Sequence, residues 1–198
     1  MTQDLTPSKD TVRDEIAFIR RAIEEGRSYA HLHGVDMVVW GVLMGFGYLG
    51  NYARGAGFSP VNPNWIWLVC VLAGWLFSIR DRLLGQSCSG PVAPMVRALQ
   101  MLWLACGVTL TGMALAMAFS AEIQADQLKA ISAGVLGIGF FVSAFLTNVR
   151  WLRYVAIGWW AGEVVFCFFQ SGLYPQLLGA ALMFGLLALP GYLLSRKP

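Results

Sequence analysis

Residues 130–148 read AISAGVLGIGFFVSAFLTN and contain no charged side chain. Because an α-helix rises about 1.5 Å per residue, roughly 20 apolar residues cross a bilayer core about 30 Å thick. The connection that follows, Val149 to Arg153, brings two arginines and is too short for anything but a turn between helices. The stretch therefore predicts a membrane-spanning helix followed at once by an antiparallel neighbour.

The same pattern recurs along the whole chain. Its 198 residues are 57% hydrophobic and only 13% charged, which is far more apolar than a soluble domain of this size. Six apolar stretches are long enough for transmembrane helices, at residues 35–53, 64–79, 98–119, 130–148, 154–170 and 176–194. The sequence thus predicts an all-α fold, a polytopic membrane helical bundle of six transmembrane helices over residues 35–198.

Positive charge predicts the orientation of this bundle, since loops rich in Lys and Arg stay on the cytoplasmic side. Of the 14 Lys and Arg residues, only Arg54 and Lys129 fall on one side of the predicted spans. The other side holds Lys9, Arg13, Arg20, Arg21, Arg27, Arg80, Arg82, Arg97, Arg150, Arg153, Arg196 and Lys197. Both termini are therefore predicted to be cytoplasmic, in a multi-pass protein of the inner membrane. The net charge of +3 is placed to contact the lipid bilayer and is no evidence for nucleic-acid binding.

Residues 1–34 precede the first span and are predicted to form a cytoplasmic amphipathic helix. Apolar side chains recur at helical spacing at Val12, Ile16, Ile19 and Ile23. The opposite face carries Asp14, Glu15, Arg20, Arg21, Glu24 and Glu25. Three interpretations stay open: a helix lying on the inner leaflet, a helix docked on a cytoplasmic or membrane protein partner, and a helix packed on the protein's own loops. The acidic residues favour docking more than a purely basic face would, because they are repelled by anionic lipids.

Glu163 is an acidic residue in the middle of a predicted span. An ionised carboxylate in the bilayer interior is unfavourable unless it is paired, and the sequence places no Lys or Arg at its depth. A neutral Glu163 could instead hydrogen-bond a hydroxyl at a comparable depth, for which the candidates are Thr109, Thr111 and Ser143. Two interpretations result: a polar contact that joins two helices, or a proton or small-molecule site near the bilayer midplane.

Aromatic and small residues bear on how the helices pack. Trp159 and Trp160 precede Glu163 and either line a ligand pocket or fill the core. Small residues four apart permit close helix approach at Gly41 and Gly45, at Gly158 and Gly162, and at Ala181 and Gly185. These pairs predict packing within the chain, with contacts in a homo-oligomer as the alternative. Pro190 predicts a kink or an end in the last helix.

No catalytic residue, cofactor or metal site is predicted. The chain contains no P-loop, H-E-x-x-H or G-x-S-x-G motif, which favours a protein that is not an enzyme. His31 and His33 point apart on a helix, and a zinc ion would need Cys88 from a distant loop as well. A membrane enzyme that uses the two histidines with Asp36 is left as an alternative. Asp36 is otherwise expected to pair with a cytoplasmic arginine such as Arg80 or Arg150.

The two ends of the chain carry a pattern of their own. It consists of Ile19-Arg20, Glu24-Glu25, Tyr29 and Leu32-x-Gly34 before a glycine-rich helix, with Leu189-Pro190-Gly191 and Ser195-Arg196 at the other end. In these features the chain resembles a group of small, uncharacterised bacterial inner-membrane proteins with six helices. The resemblance implies a bacterial inner-membrane location and transfers no activity, substrate or site.

Two classes of function follow from these observations. The sequence favours a non-enzymatic accessory or regulatory membrane protein, which engages a partner through its cytoplasmic N-terminal helix and loops. The alternative is a small-molecule or proton-coupled binding or transport protein with its site around Glu163. The first interpretation depends on the patterned segment of residues 1–34, and the second on an acid inside an apolar bundle.

Overall fold

The computed structural model describes residues 34–85, 94–119, 125–169 and 172–196, and their regular structure is entirely helical. In chain order the helices are α1 (34–55), α2 (Pro63–Gly85), α3 (Pro94–Phe119), α4 (Ala125–Thr147), α5 (Trp151–Phe168), α6 (Tyr174–Met183) and α7 (Leu189–Arg196). A π-helical turn, Phe184–Ala188, joins α6 to α7 as one continuous helix. The prediction of an all-α fold is confirmed for these ranges. The predicted amphipathic helix, with Val12, Ile16, Ile19, Ile23, Arg20 and Arg21, lies outside the described residues.

Within the described ranges, four helical segments are long and apolar enough to cross a membrane. They are Pro63–Arg80, Pro94–Met117, Gln127–Thr147 and Tyr174–Arg196. The other two long helices, α1 and α5, fall outside this set. Asp36 and Asn51 lower the mean hydropathy of α1, and Arg153 and Glu163 lower that of α5. The four segments support the prediction of an integral membrane protein.

Helices α4 and α5 form the predicted antiparallel hairpin. Asn148 ends α4 with a φ of 54°, a left-handed conformation that asparagine adopts more readily than most residues. The backbone N–H of Leu152 then donates to the Val149 carbonyl at 3.2 Å, and α5 begins at once. Phe140 of α4 and Ala156 of α5 are both fully buried in the core that the hairpin helps to form.

Glycine lets α1 approach the last helix closely. A Cβ added at Gly41 would lie 2.6 Å from the backbone nitrogen of Ala188. One added at Gly34 would lie 2.6 Å from the carbonyl oxygen of Gly191. These distances leave no room for a side chain, so the backbone of α1 touches the backbones of the π-helical turn and of α7. Gly45, four residues after Gly41, packs on the Phe184 ring, so this pair serves packing within the chain.

The other two small-residue pairs differ in where they face. Gly158 and Gly162 of α5 lie against the side chains of Leu186 and Leu182, and they too pack within the chain. Among the described residues, nothing lies within 4 Å of a Cβ added at Gly185, and Ala181 is exposed. The described part of the chain therefore does not show the predicted packing for the third pair.

Pro190 neither ends the last helix nor leaves it regular. In an α-helix the Leu186 carbonyl would accept a hydrogen bond from the N–H of residue 190, and proline has none. The chain instead forms the π-helical turn just before Pro190, where the Leu189 N–H donates to the Phe184 carbonyl. The Leu186 carbonyl accepts from the indole Nε1 of Trp159 at 3.1 Å. A side chain of α5 thus satisfies a backbone group of the last helix.

Candidate functional site

Glu163 sits at the edge of the buried face of α5. Gly162 and Phe166 on that helix are buried, whereas Glu163 is half-buried. Its carboxylate lies against Gly134 of α4, where an added Cβ would be 2.8 Å from Oε1 and 3.0 Å from Oε2. The Glu163 carboxylate therefore occupies the space that a side chain at residue 134 would fill.

Trp160 occupies the matching position one turn away. Residues 160 and 163 share one side of α5, as residues 134 and 137 share one side of α4. The Trp160 indole lies directly on Gly137, and its ring is tilted by 40° against Phe141 with the centroids 5.5 Å apart. The Trp160 indole thus packs on Gly137 of α4, and the Glu163 carboxylate packs on Gly134.

Trp159 does not belong to this group. Its side chain is only 1% exposed, and its Nε1 is bonded to the Leu186 carbonyl. The aromatic wall that the sequence predicts beside Glu163 therefore has Trp160 as its member, while Trp159 joins the core.

The position of Gly134 locates Glu163 along the α4 candidate span. Gly134 is seven residues after Gln127 and thirteen before Thr147, the two ends of that candidate span. At the rise of an α-helix these separations are about 10 and about 20 Å. Glu163 thus lies opposite a point about a third of the way along this segment, nearer its Gln127 end than the Asn148 turn.

The three hydroxyls predicted as partners of Glu163 are not brought to it. Thr111 Oγ1 accepts from the indole of Trp75 at 3.0 Å, and Ser143 Oγ accepts from the indole of Trp103 at 3.1 Å. Thr109 is exposed on α3. In the part of the chain that the structure describes, no hydrogen bond or ion pair reaches the Glu163 carboxylate. The described residues thus provide no polar partner for this acid of the apolar hairpin.

Among the described residues, five tryptophan indoles donate hydrogen bonds to another helix, which the sequence analysis missed. The donors are Trp40, Trp67, Trp75, Trp103 and Trp159, and their acceptors are Ser78, Asn51, Thr111, Ser143 and the Leu186 carbonyl. Each bond satisfies a buried or half-buried N–H that would otherwise be desolvated without a partner. The presence of Ser, Thr and Asn in the helices next to these tryptophans was the sequence feature that could have predicted these hydrogen bonds.

Asp36 offers a contrast with Glu163. Ser78 Oγ donates to Asp36 Oδ1 at 2.5 Å and accepts from Trp40 Nε1 at 2.9 Å. The carboxylate that the sequence paired with an arginine is thus joined to a hydroxyl of α2. Ser78 is only 6% exposed, so the hydrogen bonds among Asp36, Ser78 and Trp40 connect α1 to α2 at a buried position.

The possible zinc site of His31, His33 and Cys88 is not tested by the structure. His31, His33 and Cys88 lie outside the described residues. Among the residues that are described, no group of three or more His, Cys, Asp or Glu side chains could hold a metal ion.

No protein-family profile, curated protein or solved structure matches this chain.

Proposed function

We propose that the chain spans the bacterial inner membrane six times, with both termini in the cytoplasm. The four long apolar segments support a membrane location, and α1 and α5 supply the two further spans. Twelve of the 14 Lys and Arg residues then share the cytoplasmic side. Reporter fusions test this arrangement: Ser59 and Gly172 are expected outside the membrane and Arg150 inside. A cytoplasmic reporter at either outer position would exclude six spans in this orientation.

We infer that the protein is a non-enzymatic accessory or regulatory membrane protein. The observation that carries this proposal is the indole bonding within the bundle. Five tryptophan N–H groups are used to join helices or to complete a helix backbone. Polar groups used in this way stabilise a scaffold, which leaves the patterned residues 1–34 as the segment suited to engage a partner.

Affinity purification from native membranes tests this role. The full chain is expected to retain a stoichiometric partner that is lost when residues 1–25 are deleted. Ile16→Ser with Ile19→Ser should cause the same loss, because it removes the apolar face without shortening the chain. Glu24→Gln on the opposite face is the matched control and should retain the partner. A partner that survives the deletion, or no partner after crosslinking in the membrane, would contradict the proposal.

A second candidate function is supported by Glu163, whose carboxylate has no polar partner within the described residues. In this case Glu163 binds a proton or a small cationic or hydrogen-bonding molecule, as acids within membrane spans often do. Native mass spectrometry of the purified protein, compared with Glu163→Gln, tests for a bound molecule. Labelling by a hydrophobic carbodiimide tests for a protonated carboxyl. If no bound molecule is found and Glu163 is not labelled, this candidate function is excluded.

A further inference from the structure

The surface around Glu163 combines an acid with an outward-facing apolar surface. We call it the Glu163 seam, and it consists of Gly134, Gly137, Phe141, Trp160 and Glu163. Phe141 is 46% exposed, and Ile138, on the same outer side of α4, is 52% exposed. The half-buried carboxylate therefore lies where the hairpin meets its surroundings, and not inside a closed core.

A half-buried carboxylate within a membrane span needs either a proton or a positively charged neighbour. Within the described ranges this chain does not supply the neighbour, because no ion pair joins Glu163 to any residue. Lys129, the cation of the same hairpin, lies five residues before Gly134 on α4 and forms no ion pair with Glu163. If Glu163 is ionised, the described residues of this chain do not supply the positive charge, and another molecule can.

We propose that the Glu163 seam docks a transmembrane helix of another membrane protein, and that this helix carries a Lys or Arg at the depth of Glu163. The proposal rests on the accessory function and names the chemistry of its partner within the membrane. The depth adds a constraint, since the cation must lie about 10 Å from one end of the partner's span, on the side remote from the Asn148 turn. Gly134 and Gly137 accommodate the Glu163 carboxylate and the Trp160 indole against α4, and the exposed Phe141 provides apolar contact for the docked helix.

Synthetic transmembrane peptides test the seam directly. Three otherwise identical Leu–Ala helices carry Lys, Gln or Leu seven residues from one end, and each is reconstituted with the labelled full-length protein in phosphatidylcholine vesicles. Fluorescence energy transfer measures the association. The Lys peptide is expected to bind the protein about tenfold more tightly than the Leu peptide, the size of effect expected for one desolvated charge pair.

Variants show whether Glu163 is responsible. Glu163→Gln should abolish the preference for Lys while leaving Leu-peptide binding unchanged, which also reports that the hairpin is folded. Gly134→Ala, which displaces the carboxylate without removing it, should weaken the preference. Asp36→Asn is the matched control, because that acid is bonded to Ser78, and it should leave the preference intact.

Three outcomes would overturn the proposal. The first is equal binding of the Lys and Leu peptides, or a preference that survives Glu163→Gln. The second is carbodiimide labelling of Glu163 that the Lys peptide does not reduce, which would indicate a proton site. The third is self-association of the protein that depends on Glu163, which would assign the seam to a second copy. Deletion of residues 1–25 should leave peptide binding unchanged, so failure of the seam and failure of the cytoplasmic role can be told apart.

Discussion

Two contacts in this bundle depend on glycine, and they use it for opposite purposes. Where α1 meets the last helix, Gly41 brings two backbones together, and an added Cβ would meet backbone atoms of Ala188. Where α4 meets α5, Gly134 makes room for the polar end of the Glu163 side chain. The first contact fixes the positions of two helices. The second holds a carboxylate at the surface of the hairpin.

Hydrogen bonding also differs between the last helix and the α4–α5 contact. In the last helix, the carbonyl that Pro190 deprives of its usual donor receives an indole N–H from Trp159. At the α4–α5 contact, the Glu163 carboxylate has no such partner among the described residues. The Leu186 carbonyl of the last helix is thus satisfied by α5, whereas the described residues give the Glu163 carboxylate no hydrogen-bond donor.

The largest expected effect is that of Gly41→Ala. The added methyl group would lie 2.6 Å from the Ala188 nitrogen and 2.9 Å from its Cα, and neither helix can yield without moving its backbone. We expect the free energy of unfolding to fall by about 3 kcal/mol, measured by denaturant titration in mixed micelles. Gly185→Ala is the matched control, because nothing lies within 4 Å of its added Cβ. Equal losses in the two variants would contradict close packing of α1 on the last helix.

Trp159→Phe is expected to cost about 1–2 kcal/mol of unfolding free energy beyond the change in ring size, because the Leu186 carbonyl loses its donor in a buried place. Pro190→Ala restores a backbone N–H at residue 190, which can donate to that carbonyl. The cost of Trp159→Phe should therefore be smaller in the Pro190→Ala background, and a double-mutant cycle measures the difference. Additive effects would show that the indole does not replace the donor that Pro190 lacks.

The α4–α5 hairpin could be predicted from the sequence because its signals are local. A charge-free stretch ends at Asn148, and two arginines follow within the turn. The candidate spans of α2 and α3 could be predicted for the same reason, since length and hydropathy are properties of single segments. The π-helical turn could not, because the donor that completes it belongs to Trp159 on another helix.

The surroundings of Glu163 were predicted less well for the same physical reason. Depth in the span was taken from the sequence, and it brought Thr109, Thr111 and Ser143 into consideration as partners. The contacts between helices depend instead on register and on which side of a helix each residue occupies. The structure places Gly134 opposite Glu163, and it bonds Thr111 and Ser143 to tryptophans.

Gly134→Ala is expected to lower the free energy of unfolding by about 1 kcal/mol, which is less than Gly41→Ala. The added Cβ would meet the Glu163 carboxylate at 2.8–3.0 Å, and the end of a flexible side chain can move aside. Glu163→Ala removes the obstructing atoms, so Gly134→Ala should cost little in that background. If the cost of Gly134→Ala is unchanged by Glu163→Ala, the carboxylate does not occupy the space left by Gly134.

Glu163→Gln is expected to have the smallest effect, a change in unfolding free energy within about 0.5 kcal/mol. The carboxylate makes no hydrogen bond or ion pair in the part of the chain that the structure describes, and glutamine has nearly the same shape.

The matched control for Glu163→Gln is the same chemical change at a bonded acid. Asp36→Asn alters the acceptor of the Ser78 hydroxyl and should cost about 1–2 kcal/mol. Both measurements are made on the purified protein in micelles, without other membrane proteins. If Glu163→Gln lowers the free energy of unfolding as much as Asp36→Asn does, Glu163 stabilises the bundle. The glycine contacts at Gly41 and Gly134 would then both serve to hold helices together. A loss confined to residue 36 would leave the Glu163 carboxylate free to act on a molecule outside the chain.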